Sequence, residues 1–406
     1  MRLAALISVL VAALSGQVSG RARNLHRDAF VFDGHVHVIN RQLYDGTDIG
    51  KRLKGGQVDL PRARDGGLDA MLFSLYVPEQ YYPPRFETKF ALRLIDLARR
   101  QVEANADQIA IAESPADLDR IHKQGKIAAI LDLEGGFDLD GDPAILRMLW
   151  RLGLRSAQLP AHNWANSFAD SCCAKQEIGG LNERGREVVR EMNRLGMIIN
   201  ISHASDRTVE QVLEVSSTPV VATHHGMRAL NDIPRNMPDD LMRKLAAKGG
   251  LIGFHVGNEF HNRKMFDWRT KQAGKPFWDT SDVKKDEPLT MALIDKLVGP
   301  AFPMMGTDCP DELLFSPEEW IGVIERAISI VGEDHVSLGS DFDGGPTPPR
   351  GMKDIADLPR LTQAMLNRGW PESRIRKFLG GNLLRVYRQI AAGSPIARPA
   401  SSTVLK

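Results

Sequence analysis

Eight short runs rich in Val, Ile and Leu recur along the chain, and helical patterns fill most of the gaps between them. The runs are VFDGHVHV (31–38), AMLFSLYV (70–77), IAAILDLE (127–134), LRSAQLPA (154–161), MIINISH (197–203), PVVATHH (219–225), GLIGFHVG (250–257) and HVSLGSDF (335–342). Most are apolar at successive positions, so both faces must be covered, as in a buried parallel sheet. Between them, 183–196 spaces apolar residues as a helix does and ends at Gly196, a plausible C-cap. Ser205 is a good N-cap for 205–216, Pro238 falls one or two residues inside the next helix, and 317–331 and 371–390 also read as helices. Eight strands alternating with helices predict a (β/α)₈ TIM barrel. A doubly wound sheet is the rival, but no GxGxxG follows an early strand, so dinucleotide binding has no support.

A barrel accommodates 21–406 as one domain. The connection between the last two runs is far longer than usual, and its part at about 258–310 is polar with several Trp, Phe and Pro residues. It reads as an insertion, and because it emerges on the active face, as a lid or pocket wall. The formal net charge is +1, and no Lys/Arg block stands out, which argues against a nucleic-acid partner.

Residues 1–20 differ from the rest. Arg2, the apolar run 3–14 and the small residues SGQVSG read as a signal peptide cleaved near Ser19 or Gly20. The alternative is an uncleaved N-terminal anchor, although the run is short for a membrane span. The expectation is an exported protein, periplasmic or secreted, in a compartment where disulfides persist. Cys172, Cys173 and Cys309 allow at most one bridge. Adjacent cysteines rarely pair, which leaves Cys309 with Cys172 or Cys173 as the open option.

Histidines and acids collect where the runs end. His35 and His37 close the first, Glu134 the third, His203 the fifth, His224 and His225 the sixth, and Asp341 and Asp343 the last; His162 follows the fourth. The C-terminal ends of barrel strands form one mouth, so these groups converge. His35 and His37 are two apart on a strand and face the same side, the spacing that presents two imidazoles to one metal. Neighbours on a strand face opposite ways, so the residues alone do not choose between His224 and His225.

This ordered set resembles the membrane dipeptidase (renal dipeptidase) family of the amidohydrolase superfamily, over about residues 29–390. The most specific pieces are FDGHVHV, LEGG, EMNRLGMIINISHAS, THHGMRALNDIPRNMPDDLM, LGSDFDG and GGNLLRVY. The resemblance implies two divalent metal ions, zinc by preference, acting on a small dipeptide. His35 and His37 would hold one metal, Glu134 would bridge both, and His203 and His224 would hold the second. Asp341 would handle the proton, His162 would contact the substrate near the scissile bond, and Arg235 would bind the substrate carboxylate. Two such cations sharing a water lower its pKa and give hydroxide at neutral pH. A homodimer is the family's common assembly. The family usually has Asp where this chain has His37, which makes the site one negative charge poorer and predicts altered metal affinity or substrate preference. Another amidohydrolase activity, such as deacylation of N-acyl amino acids or hydrolysis of a lactone or phosphoester, stays open, because fold does not fix function. A non-catalytic metal-binding protein is the remaining alternative.

Overall fold

The computed structural model describes residues 17–285 and 289–396. Of the leader read at residues 1–20, residues 1–16 lie outside the described residues. Among the described residues, nine strands form one parallel sheet: β1 (Phe32–His37), β2 (Ala70–Tyr76), β3 (Ile109–Ile111), β4 (Ile127–Glu134), β5 (Leu154–Gln158), β6 (Ile198–Asn200), β7 (Val221–His225), β8 (Leu251–Phe254) and β9 (Val336–Leu338). The order is β1-β2-β4-β5-β6-β7-β8-β9, with β3 beside β4 but off this path. The circle is nearly closed by a parallel bridge between Val36 and Phe342, where the amide of His37 donates to the Phe342 carbonyl at 3.0 Å. This is the eight-stranded barrel expected from the sequence.

The ninth strand was not expected. It pairs only with the first three residues of β4, before β5 joins that strand at Leu131, so it fills a gap at the bottom of the barrel. Three of the predicted runs are also too long. His203 and Asp341 lie beyond the strands they were expected to end, at φ values of 64° and 63°, and His162, expected just after its run, lies four residues past β5 at φ 53°. A left-handed residue cannot continue a strand.

The helices follow their caps. Glu183–Leu195 ends at Gly196 in the left-handed conformation, and Asp206–Val215 starts where the Ser205 side chain accepts the Thr208 amide. Pro238, expected one or two residues inside the helix, is instead its N-cap, ahead of Asp239–Ala247. The long connection after β8 contains the helices Asn258–His261, Arg263–Ala273 and Met291–Val298. Among the described residues, no helix is long and apolar enough to cross a membrane.

The cysteine expectation is corrected. Cys172 and Cys173 are joined to each other, and Cys309 is free. The segment turns sharply at this point: the Cys172 amide donates to the His203 carbonyl, and the Cys173 amide to the Ser171 hydroxyl. That turn brings the neighbouring side chains together.

Candidate metal and catalytic site

Glu134, at the end of β4, stands at the centre of the barrel mouth and is 2% exposed. Its two oxygens face different partners. Oε2 lies 3.0 Å from His35 Nε2 and 2.9 Å from His37 Nε2. Oε1 lies 3.3 Å from His203 Nε2 and 3.5 Å from His224 Nε2. Within each pair the Nε2 atoms nearly touch, at 3.2 Å for His35 and His37 and 3.1 Å for His203 and His224. Two facing ring nitrogens at this distance cannot both turn protons toward each other, and once deprotonated each corner offers lone pairs and a carboxylate oxygen to a common point. A cation satisfies such an arrangement. The residues therefore fit a metal, and the groupings His35–His37–Glu134, Glu134–His162–His203 and His35–His224–Asp341 each bring ligand atoms within 4.8 Å of one another.

The sequence explains the placement. The i, i+2 spacing on β1 turns both imidazoles inward. On β7 the alternation puts His224 at the centre, whereas His225 is buried with no hydrogen-bond partner at either ring nitrogen. Behind the ligands, Asp132 Oδ2 lies 3.3 Å from His35 Nδ1, and Asn163 Oδ1 accepts from His203 Nδ1 at 3.0 Å. Such partners fix the ring tautomer and aim Nε2 at the centre. Ser74 Oγ donates to Glu134 Oε2 at 3.1 Å. Gly135, at φ 102°, could not be replaced without a Cβ only 2.6 Å from the Tyr82 hydroxyl.

The two corners differ electrically. Burial works to lower His35 and His37, but the Glu134 and Asp341 carboxylates outweigh it, lifting His37 to about 9 and His35 well above its ordinary value. Burial, reinforced by Arg235, holds His203 and His224 well below theirs. Burial would raise Glu134, yet the imidazoles of His35 and His37 keep it well below the usual carboxylate range.

The other predicted residues surround this centre. Asp341 Oδ1 is 3.0 Å from His37 Nε2. His162 Nε2 is 3.6 Å from Glu134 Oε1. Arg235 is 1% exposed; one nitrogen donates to the His224 carbonyl at 2.9 Å, and Nε and Nη1 have no partner. Its guanidinium lies over the Phe260 ring, 5.7 Å from the centroid. A cavity of about 470 Å³ opens onto His37, Glu134, His162, His203, His224, Arg235 and Asp341, while His35 lies beneath. Phe260, Phe277, Val283, Met304 and Met305 of the long connection line the same cavity.

Sequence reasoning missed two members. Glu79, three residues past β2, accepts from His162 Nδ1 at 2.5 Å and from the Tyr76 hydroxyl at 2.7 Å, which locks the His162 ring. His255 follows β8 and lies 2.7 Å from Asp341 Oδ2. Both sit just past C-terminal strand ends, the signal that found the others. Asp343 was found by that signal but does not join the centre; it accepts the Gln57 amide in a buried loop contact.

The chain is 30% identical over 380 residues to Dipeptidase 3 of Mus musculus, covering 91% of this chain and 66% of the mouse protein, so it spans about two thirds of that relative. Its fold is similar to the crystal structure of the probable dipeptidase PvdM from Pseudomonas aeruginosa, with a TM-score of 0.75 and 24% identity over 92% of this chain and 98% of that one. It is also similar to a metallo peptidase from Rhodobacter sphaeroides that was solved with a phosphinate mimic of the dipeptide L-Ala-D-Ala, with a TM-score of 0.69 and 24% identity over 89% and 100% of the two chains. From residue 19 to residue 398 the sequence matches the profile of Peptidase family M19, and the chain belongs to that family, the membrane dipeptidases.

Proposed function

We propose that this enzyme hydrolyses the peptide bond of dipeptides with two divalent cations, zinc by preference, which His35 and His37, His203 and His224, and Glu134 would hold. The observation that carries the reading is the division of the two Glu134 oxygens between two imidazole pairs. Imidazole and carboxylate donors suit zinc. Bound there, the cations supply Lewis acidity and an activated water at neutral pH.

The chain's own residues do the rest. Arg235 has two buried, unpartnered nitrogens beside the cavity, and a planar guanidinium of this kind is matched by a carboxylate. It holds the C-terminal carboxylate and so measures substrate length. His162, oriented by Glu79, donates from Nε2 to the carbonyl oxygen as charge develops there. Asp341 takes the proton of the attacking water and returns it to the leaving amine nitrogen. The apolar side chains of the long connection pack against the substrate side chains. A D-residue at the C-terminal position is included, since the Rhodobacter sphaeroides neighbour holds a mimic of L-Ala-D-Ala.

The test is a panel of L,L and L,D dipeptides, their C-terminal amides, N-acetyl amino acids and a tripeptide. The reading expects rapid release of free amino acids from the dipeptides, slow cleavage of their C-terminal amides, and none from the N-acetyl amino acids or the tripeptide. Faster release from N-acetyl amino acids than from any dipeptide would replace it with a deacylase. We further place the enzyme outside the cytoplasm, from the leader pattern at residues 1–20 and the Cys172–Cys173 disulfide. A mature N-terminus near Gly20 on the exported protein is the expected finding, and full-length protein retained in the cytoplasm would refute it.

A further inference from the structure

His255 is buried at the end of β8 and its backbone is held in place. Its amide donates to the His225 carbonyl at 3.1 Å, and its own carbonyl accepts from His261 Nε2 at 2.7 Å and from the Trp320 indole at 3.1 Å. The ring is clamped as well. It stacks on Phe260 with centroids 3.7 Å apart and planes 22° apart. Its Nδ1 accepts the backbone N–H of Gly257 at 2.7 Å. Only glycine allows that approach, since a Cβ at position 257 would lie 2.6 Å from the ring carbon Cε1.

This contact decides where the ring proton is. An amide N–H points at Nδ1, so Nδ1 must be the lone pair and the ring N–H must sit on Nε2. Nε2 lies 2.7 Å from Asp341 Oδ2. Oδ2 is therefore occupied by a donor, and the other oxygen, Oδ1, is turned toward His37 and the centre. The Asp341 backbone holds the same pose: at φ 63°, its amide donates to the His35 carbonyl at 2.8 Å.

We infer that His255 is a positioning residue that makes Asp341 a one-sided base. The proton that leaves the attacking water lands on Oδ1, because Oδ2 already accepts the N–H of His255, and it departs from Oδ1 to the amine nitrogen as the C–N bond breaks. His255 itself gains and loses nothing. This rests on the reading of Asp341 as the proton carrier.

The test uses the full-length zinc-loaded enzyme and four variants. His255→Phe keeps a ring on Phe260 but removes the donor. His255→Gln places an amide N–H where Nε2 was. His255→Asn carries its amide only as far as the Nδ1 position, and replaces the Phe variant if that one does not fold. Asp341→Asn is the control. The expectation is that the donorless variant loses about 10²-fold in kcat, within the range typical of acid–base catalysis, with KM within about threefold and zinc content unchanged. His255→Gln should recover to within about tenfold of the parent enzyme. Two results would overturn the inference: a donorless variant with kcat within about threefold of the parent while Asp341→Asn is inactive, or a loaded His255→Gln variant as slow as the donorless one. Near-normal turnover by Asp341→Asn would instead remove the reading on which the inference rests.

Discussion

A buried guanidinium with unpartnered nitrogens is costly unless something anionic completes it. At Arg235 burial lowers the pKa to about 10, even with Glu134 and Asp341 nearby to raise it, so the group still carries its charge at neutral pH. Replacing it by Met should raise KM for dipeptides about 10²-fold while leaving hydrolysis of dipeptide amides nearly unchanged, measured by initial rates on both. An equal loss on both would show that Arg235 does not read the carboxylate. The histidines make a second prediction. A metal must displace the proton that the carboxylates hold on His37 below about pH 9, and His35 is raised likewise, so affinity at that corner falls as the pH falls. His203 and His224 are depressed and bind as neutral rings over the same range. Dialysis at pH 6 should therefore strip the His35–His37 corner first, leaving about one metal per chain by elemental analysis. Simultaneous loss of both metals would contradict this.

At the scale of elements, the strands and the short turns after them carry both the fold and the chemistry. The helix Gly20–Asp28 docks through His26, whose ring lies 2.7 Å from both the Thr362 hydroxyl and the Gly66 carbonyl. Burial lowers this imidazole from 6.5 to about 4, against the opposing pull of the Gly66 carbonyl. Stability from the neutral ring is full above about pH 6.5 and is lost as the pH falls toward 4, by about 3 kcal/mol. Urea unfolding at pH 7.5 and pH 5 should show about 2 kcal/mol of that loss in the parent chain and a flatter dependence in His26→Gln; equal slopes would rule it out. The barrel was legible because eight buried strands each leave an apolar run. The three-residue β3 was not, since so short a strand leaves no period to read. The centre was legible where ligand types closed a run, as at His35, His37 and Glu134; the sixth run left His224 and His225 open, and only the family resemblance chose His224. Glu79 and His255 also follow strand ends, but Glu79 falls two residues beyond the run 70–77 and His255 inside the run 250–257, so neither closes a run. The Cys172–Cys173 pairing depends on the local turn, which composition does not reveal.

For the whole molecule, the barrel brings distant segments to one point: residues from β1, β4, β7 and the turns after β5, β6 and β9 share a cavity that the long connection walls. Removing a single corner should leave the other, because the His35–His37 and His203–His224 pairs face different oxygens of Glu134. His224→Ala is expected to bind about one zinc where the parent binds two and to lose nearly all turnover; two tightly held metals in that variant would move the second site elsewhere. The most direct test of the central claim is a zinc titration of metal-stripped enzyme, following hydrolysis of a dipeptide against equivalents added. Activity that is absent without metal, reaches its plateau at two equivalents and spares a tripeptide is the predicted result. Full activity without zinc, a plateau at one equivalent, or two zinc ions bound without cleavage of any dipeptide would contradict it.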